Sequence, residues 1–200
     1  MKNLIIIGAG GHGKSVAWVA KTTNKWKNIY FLDDKISNHQ VLGRIADRIK
    51  FKDHDFFIGI GDNKIRKEIF LLLKSEGFSL PAIISPTSDI TSAKIGAGSI
   101  IMNRCFINVD TIVEEAVIIN NNVLIEHDCL ISSFVHLSPS VNVSGSTMIG
   151  ELTWIGIGSI VIQSLNIGSN IIIGAGSIVI DSILDPGTYV GRPARLINKL

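Results

Sequence analysis

From Ile95 to Leu184 the chain divides without remainder into six-residue units, each opening on an aliphatic residue: Ile95, Ile101, Ile107, Val113, Ile119 and so on to Val179. The fifth position of every unit is small or aliphatic, as in Ser99, Cys105, Thr111, Val117 and Val123. A period of six fits neither the 3.6 residues of a helical turn nor the alternation of a free strand. It suits a coil whose short strands are the sides of a triangular prism, three units to a turn. The turn is visible directly, because IGIGSIVI at 155–162 returns as IGAGSIVI at 173–180. The openers should point inward and stack from coil to coil, so that only the two ends need caps. The period breaks after Leu184 at Asp185-Pro-Gly, and the residues that follow are expected to cap the last coil.

The first eighty residues have a different rhythm. Leu4 to Ile7 is a short apolar run, ending on Gly8-Ala-Gly-Gly-His-Gly13, and Lys14 to Thr22 then shows helical spacing through Val16, Val19 and Ala20. This is strand, glycine loop and helix, the context in which G-x-G-x-x-G lets backbone amides approach a phosphate at a helix N-terminus. A second strand over Ile29 to Leu32 stops at Asp33-Asp34, where a dinucleotide fold carries its ribose-binding acid. Phe56 to Ile60 predicts a further strand. Gly61-Asp-Asn63 predicts a turn, and Lys64 to Glu76 a helix whose apolar face is Ile65, Ile69, Leu72 and Leu73. Two or three such units are half of a doubly wound sheet, so a single nucleotide, or one carrying a sugar, fits better than NAD. The expected organisation is an α/β Rossmann-like nucleotide-sugar domain over 1–82, followed by a parallel β-helix with its C-terminal cap over 83–200.

Composition narrows the class. The 200 residues are 46% hydrophobic, 18% charged and only 6% aromatic, with 19 glycines, as a narrow prism interior filled by Ile, Val and Ser requires. The net charge of +2 and the lack of a basic run argue against nucleic acid as a partner. Cys105 and Cys129 fall at interior positions on different walls, so they should stay unpaired, which suits a reducing cytoplasm. The first apolar run is too short for a signal peptide, and no run reaches the ~18 apolar residues of a membrane span. No membrane association is expected.

Three stretches together resemble one family. They are Gly8 to Gly13 with Phe31-Leu-Asp-Asp34, then Phe56 to Lys67, then Val123 to Leu130 with Phe134-Val-His136. The chain resembles the bacterial sugar acyltransferases of the hexapeptide superfamily, which include the sialic acid O-acetyltransferases and the UDP-4-amino-sugar N-acetyltransferases. The resemblance covers essentially the whole chain. It implies a left-handed coil, a hand that the right-handed rule for parallel crossovers would not supply. It also implies a homotrimer, with acetyl-CoA as co-substrate bound between neighbouring prisms and a UDP-linked amino sugar on the N-terminal domain.

Residue by residue, the resemblance makes His127 the general base and Asp128 the carboxylate that raises its basicity. A histidine of ordinary pKa, ~6.5, can take the proton that an attacking amine or hydroxyl must shed. Gly145 stands one turn on in the same column and leaves room beside the imidazole; amides near it could stabilise the oxyanion. His136, Ile157 and Ala175 match positions that meet the acyl-CoA, although His136 could instead be a corner residue packing near Trp154 one turn away. Gly10, Gly11, His12, Asp33, Asp34 and Gly61 match the sugar-nucleotide site, although His12 could equally cap its helix. Arg192 and Arg195 could meet CoA phosphates or serve as cap charges, and the run Asn120-Asn-Asn122 reads as stacked amides without chemistry. His127 and His136 lack metal-ligand spacing, so no metal is expected. The first reading is N-acetylation of a UDP-linked 4-amino-4,6-dideoxy sugar. The alternatives are O-acetylation of sialic acid or a related sugar and, from another class, a NAD-binding protein.

Overall fold

A computed structural model describes residues 1–36 and 40–199. The N-terminal unit is a four-stranded parallel sheet: β1 (Leu4–Ile7), β2 (Ile29–Leu32), β3 (Val41–Gly43) and β4 (Asp55–Ile58), in the order β3-β2-β1-β4. Helix α1 (Gly11–Thr22) follows β1, and α2 (Asn63–Ser75) follows β4. Strand β3 and the short 3-10 helix Ile45–Phe51 had no clear periodic signal, and α1 begins three residues before the first apolar repeat suggests. The two sides of the sheet have separate cores. Leu4, Ile6, Phe31 and Phe57 pack with α1, while Ile5, Ile7, Phe56 and Ile58 pack with α2.

The helical face of α2 differs from the sequence reading. Ile65 and Leu72 are exposed, whereas Arg66, Phe70 and Leu73 are the buried positions. The reason is the second unit: α2 does not simply cover its own sheet but lies along an edge of the prism.

That prism is a left-handed parallel β-helix. Its two-residue strands form three flat faces. Face I holds Ile100–Ile101, Ile118–Ile119, His136–Leu137 and Trp154–Ile155; face II holds Phe106–Ile107 to Ile178–Val179; face III holds Lys94–Ile95 to Asn166–Ile167. In each strand the second residue points inward. Ile101, Ile119, Leu137 and Ile155 stack at 0% exposure, each contributing roughly 1.5–3 kcal/mol of burial. The corners are turned by residues in the left-handed backbone region at six-residue spacing, among them Arg104, Asp110, Asn122, Asp128 and Ser146.

The coil begins two faces before the six-residue period does. Ile83–Ile84 pairs with Ile100–Ile101 and Asp89–Ile90 with Phe106–Ile107, both at an offset of 17 rather than 18. One residue is missing between Ile90 and Ile95, which hides this coil from a search for strict period. At the far end, Gly187–Val190 extends face I in parallel and Arg195–Lys199 returns antiparallel to it, closing the coil.

The N-terminal unit sits on face I. Ile100 and Ile118, which point outward, are buried in the core that contains α1. Helix α2 runs beside the corner between faces III and I, where Ala116 and Phe134 join its core. Lys74 pairs with Glu115 at 2.6 Å and Lys67 with Glu151 at 2.8 Å, two coils apart on that edge.

Candidate active site

The sequence-predicted residues fall into two groups, at different places on the prism. The first lies where the N-terminal unit meets face I. Glycines 8 and 13 of the loop are needed for packing: a Cβ on Gly8 would reach 2.9 Å from the Ile60 side chain, and one on Gly13 would clash with the Gly8 carbonyl. Gly10, Gly11 and Gly61 instead face open space, with nothing within 4 Å of an added Cβ. The N-cap residue Gly10 offers no side-chain cap, so the amides of the first turn of α1 remain available to an anion. Asp33 braces this loop. Its Oδ2 accepts from the Ala9 amide at 2.7 Å, and its Oδ1 accepts from the amides of Lys35 and Ile36 at 2.8 Å. These bonds outweigh its modest burial and hold its carboxyl below the usual range. Asp34 similarly accepts from the Ile45 amide at 3.0 Å.

His12 leaves the first turn of α1 toward His136 on face I, with ring centroids 6.4 Å apart. His136 stacks on Trp154 at 6.1 Å, one coil on, and Gly61 lines the cleft they share. Its Nε2 lies 3.5 Å from the side-chain nitrogen of Asn120, so the first amide of the Asn120-Asn-Asn122 run faces this group. Burial, with the Arg66 guanidinium nearby, pushes His12 down to about 4 and His136 down to about 3. Both imidazoles are therefore neutral at neutral pH. Nε2 of His12 is buried and has no hydrogen-bond partner among the described residues, so it offers an unused donor or acceptor. Beside these rings opens a cleft of about 790 Å³, whose walls include Gly61, Asn63, Lys64, His136, Trp154 and Ile172. Ile157 and Ala175 are exposed one coil apart at the corner between faces I and II, where the Gly176 amide donates to the Ile157 carbonyl at 2.8 Å. Arg192 is engaged nearby, its Nε donating to the Gly176 carbonyl at 2.8 Å, and Arg195 lies 3.5 Å from Asp181.

The second group sits at the corner between faces II and III, opposite face I. His127 Nδ1 is 2.7 Å from Asp128 Oδ2. The backbone accounts for this: Asp128 is a corner residue at φ 58°, and that left-handed turn swings its short side chain back against its neighbour. The imidazole lies over Gly145, where an added Cβ would stand 2.7 Å from both Nε2 and Cε1. Both side chains are about half exposed, 53% and 58%. Thus Asp128 orients the ring through Nδ1, while Nε2 faces solvent over a bare backbone. Such an arrangement can accept a proton from a bound nucleophile. A single chain does not bring this group to the cleft at face I. Among the described residues, no group of three or more His, Cys, Asp or Glu could hold a metal, and no helix is long and apolar enough to cross a membrane.

Comparison with known proteins agrees with this architecture. Residues 3–73 match the family model described as PglD N-terminal domain. The acetyltransferase domain of PglB from Neisseria gonorrhoeae is 35% identical over 98% of this chain and 100% of its own, with a TM-score of 0.95; it has also been solved in complex with acetyl coenzyme A. PerB from Caulobacter crescentus, solved in complex with CoA and GDP-perosamine, is 28% identical over 99% of this chain and 98% of its own, with a TM-score of 0.93.

Proposed function

Because this chain belongs to the PglB/PglD- and PerB-type acetyltransferases of the hexapeptide superfamily, we propose that it moves the acetyl group of acetyl-CoA onto the amino group of a UDP-linked 4-amino-4,6-dideoxy sugar, with His127 as general base. The observation that carries the choice of base is the His127–Asp128–Gly145 arrangement: one ring nitrogen on a carboxylate at 2.7 Å, the other over a glycine. The neutral amine attacks the thioester carbonyl, a C–N bond forms and the C–S bond breaks. The surplus amine proton passes to His127 Nε2, and the CoA thiolate leaves and is protonated. Asp128 holds the tautomer with the proton on Nδ1 and stabilises the imidazolium that results.

The acceptor sits on the N-terminal unit, its diphosphate on the first-turn amides of α1 by way of Gly10 and Gly11. His12, Asp33, Asp34 and Gly61 surround it. The thioester arm lies against His136, Ile157 and Ala175. The choice of an amino sugar over a hydroxyl acceptor follows the likeness of Phe56 to Lys67 to the UDP-4-amino-sugar enzymes. Two buried free cysteines suit a reducing compartment, the cytoplasm.

The unit of function is a homotrimer. The first coils of face I are covered by the chain's own N-terminal unit, which buries Ile100 and Ile118, but the outward columns of the other two faces carry apolar side chains at the surface. Ile160 lies on face II and Ile112 and Met148 on face III, at 40%, 42% and 46% exposure. These flank the edge that bears His127, so packing prisms together would bring that edge against a neighbour. Each His127 would then serve an acceptor held by another subunit.

A thiol-release assay with acetyl-CoA against UDP-, GDP- and CMP-linked amino sugars and free sialic acid tests the reading. Thiol release with the UDP-amino sugar, and an amide in the product by NMR, is the expected result. Release driven by a hydroxyl sugar alone would overturn it.

A further inference from the structure

Arg66 is the most deeply buried charge among the described residues, at 1% exposure. No carboxylate pairs with it there. Its Nε donates to the Ala116 carbonyl at 2.8 Å; Nη1 donates to the carbonyls of Gly61 at 3.0 Å and Ile60 at 3.3 Å; Nη2 donates to the Phe134 carbonyl at 2.8 Å, the Val135 carbonyl at 3.3 Å and Asn63 Oδ1 at 2.8 Å. Burial lowers it to about 9, so it stays charged at neutral pH. Burying an ion is costly unless its donors are met, and here backbone carbonyls meet them.

The carbonyls come from both units. Ile60 and Gly61 belong to the loop after β4, while Ala116, Phe134 and Val135 belong to two successive coils. Asn63 extends the same device by one coil, donating from Nδ2 to the carbonyls of Leu152 at 2.9 Å and Thr153 at 3.3 Å. Ala116, Phe134 and Leu152 are equivalent corner residues, each at positive φ, with carbonyls turned toward α2. Two side chains one turn apart on α2 therefore read three coils of the prism edge. The residue after Val135 is His136, and the residue after Thr153 is Trp154. Both rings line the cleft whose other wall starts at Gly61.

We infer that Arg66, together with Asn63, is a positioning residue for acetyl transfer: it fixes the Gly61 loop against the main chain immediately before His136 and Trp154, and so sets the gap in which the two substrates meet. This rests on the reading above, in which Gly61 is on the acceptor side and His136 on the acetyl-CoA side. A lysine keeps the charge but has one nitrogen, which cannot reach Gly61 and Phe134 together as a planar fork does.

The test compares Arg66→Lys and Asn63→Ala with the full-length enzyme, measuring kcat, the KM for each substrate and Tm. Arg66→Lys should raise both KM values at least fivefold and lower kcat at least tenfold at a temperature well below its Tm. Asn63→Ala should change them in the same direction by less. A lowered Tm with kcat and both KM values within twofold of wild type would make the contact purely structural and overturn the inference. Should Arg66→Lys fail to fold, Asn63→Ala alone decides by the same criterion. In wild type, the ring signals of His136, assigned with His136→Asn, should move on adding acetyl-CoA. If neither substrate moves them, the site reading itself has failed and this inference with it; if they move and both variants keep their constants, only this inference has failed.

Discussion

The imidazole of His127 lies so close over Gly145 that a single added methyl group would stand 2.7 Å from its Nε2 and Cε1. This glycine is not in the left-handed region, so alanine fits its backbone, and the clash falls on the ring alone. Gly145→Ala should therefore fold and assemble as wild type does while displacing the proposed base. Misplacement of about 1 Å costs on the order of 10²-fold. Steady-state kinetics should show that loss in kcat with little change in either KM.

His127→Ala removes the proposed base itself. Turnover should fall by ~10²–10⁴, the contribution of a positioned general base, while calorimetry finds both substrates bound almost as before. Asp128→Asn keeps a partner at the corner but not its charge, and should cost less. A His127→Ala enzyme with near-normal kcat would move the base elsewhere.

Much of this was legible in the sequence, and the exceptions have physical causes. The inward column and the strand–glycine loop–helix opening follow from periodicity alone, and so does the facing of His127 and Gly145, since three units make one turn. The first coil was hidden by a single missing residue before Ile95. Arg66 lies off the apolar face that Ile65, Ile69, Leu72 and Leu73 suggest, and its acceptors are carbonyls, which leave no trace in side-chain pattern. A signal was nevertheless present. Corner residues are elsewhere often Asp, Asn or Ser, which tolerate positive φ, but in one column Ala116, Phe134 and Leu152 succeed each other at intervals of 18. Apolar residues there marked the edge on which α2 rests.

Stability should depend on pH through the two buried histidines. In the unfolded chain each protonates near 6.5, but in the fold only at about 4 for His12 and about 3 for His136. Between those limits the unfolded state binds the extra protons, so stability is lost as pH falls below 6.5, by at most about 1.4 kcal/mol per pH unit for each histidine. The depressed carboxylates, such as Asp33, contribute only at lower pH. Urea midpoints measured from pH 7 to pH 5 should fall, and His136→Asn should flatten that slope. An unchanged slope in the variant would mean that His136 is accessible to protons in the folded protein.

The sharpest expectation concerns the separation of the two groups of site residues. His127 lies on the corner opposite face I, while His136 lies on face I and Gly11 on the N-terminal unit packed against it, so one chain alone should hold two halves of different sites. Met148→Lys with Ile112→Lys places charge on the outward column of face III, where both side chains reach the surface. Sedimentation should show that this variant dissociates to folded monomers, and those monomers should be inactive although no proposed site residue has changed. The shared site can be tested without disrupting assembly. Gly11→Trp fills the open acceptor loop and His127→Ala removes the base, so each homotrimer should be nearly inactive. Denaturing and refolding the two together yields mixed trimers, in which an intact acceptor loop can face an intact base across an interface. Recovery of a substantial fraction of wild-type activity is expected on mixing, and none on mixing either variant with itself. If mixed trimers form, as shown by a mass tag on one variant, yet stay inactive, each active site is built within one subunit and the trimer serves only stability.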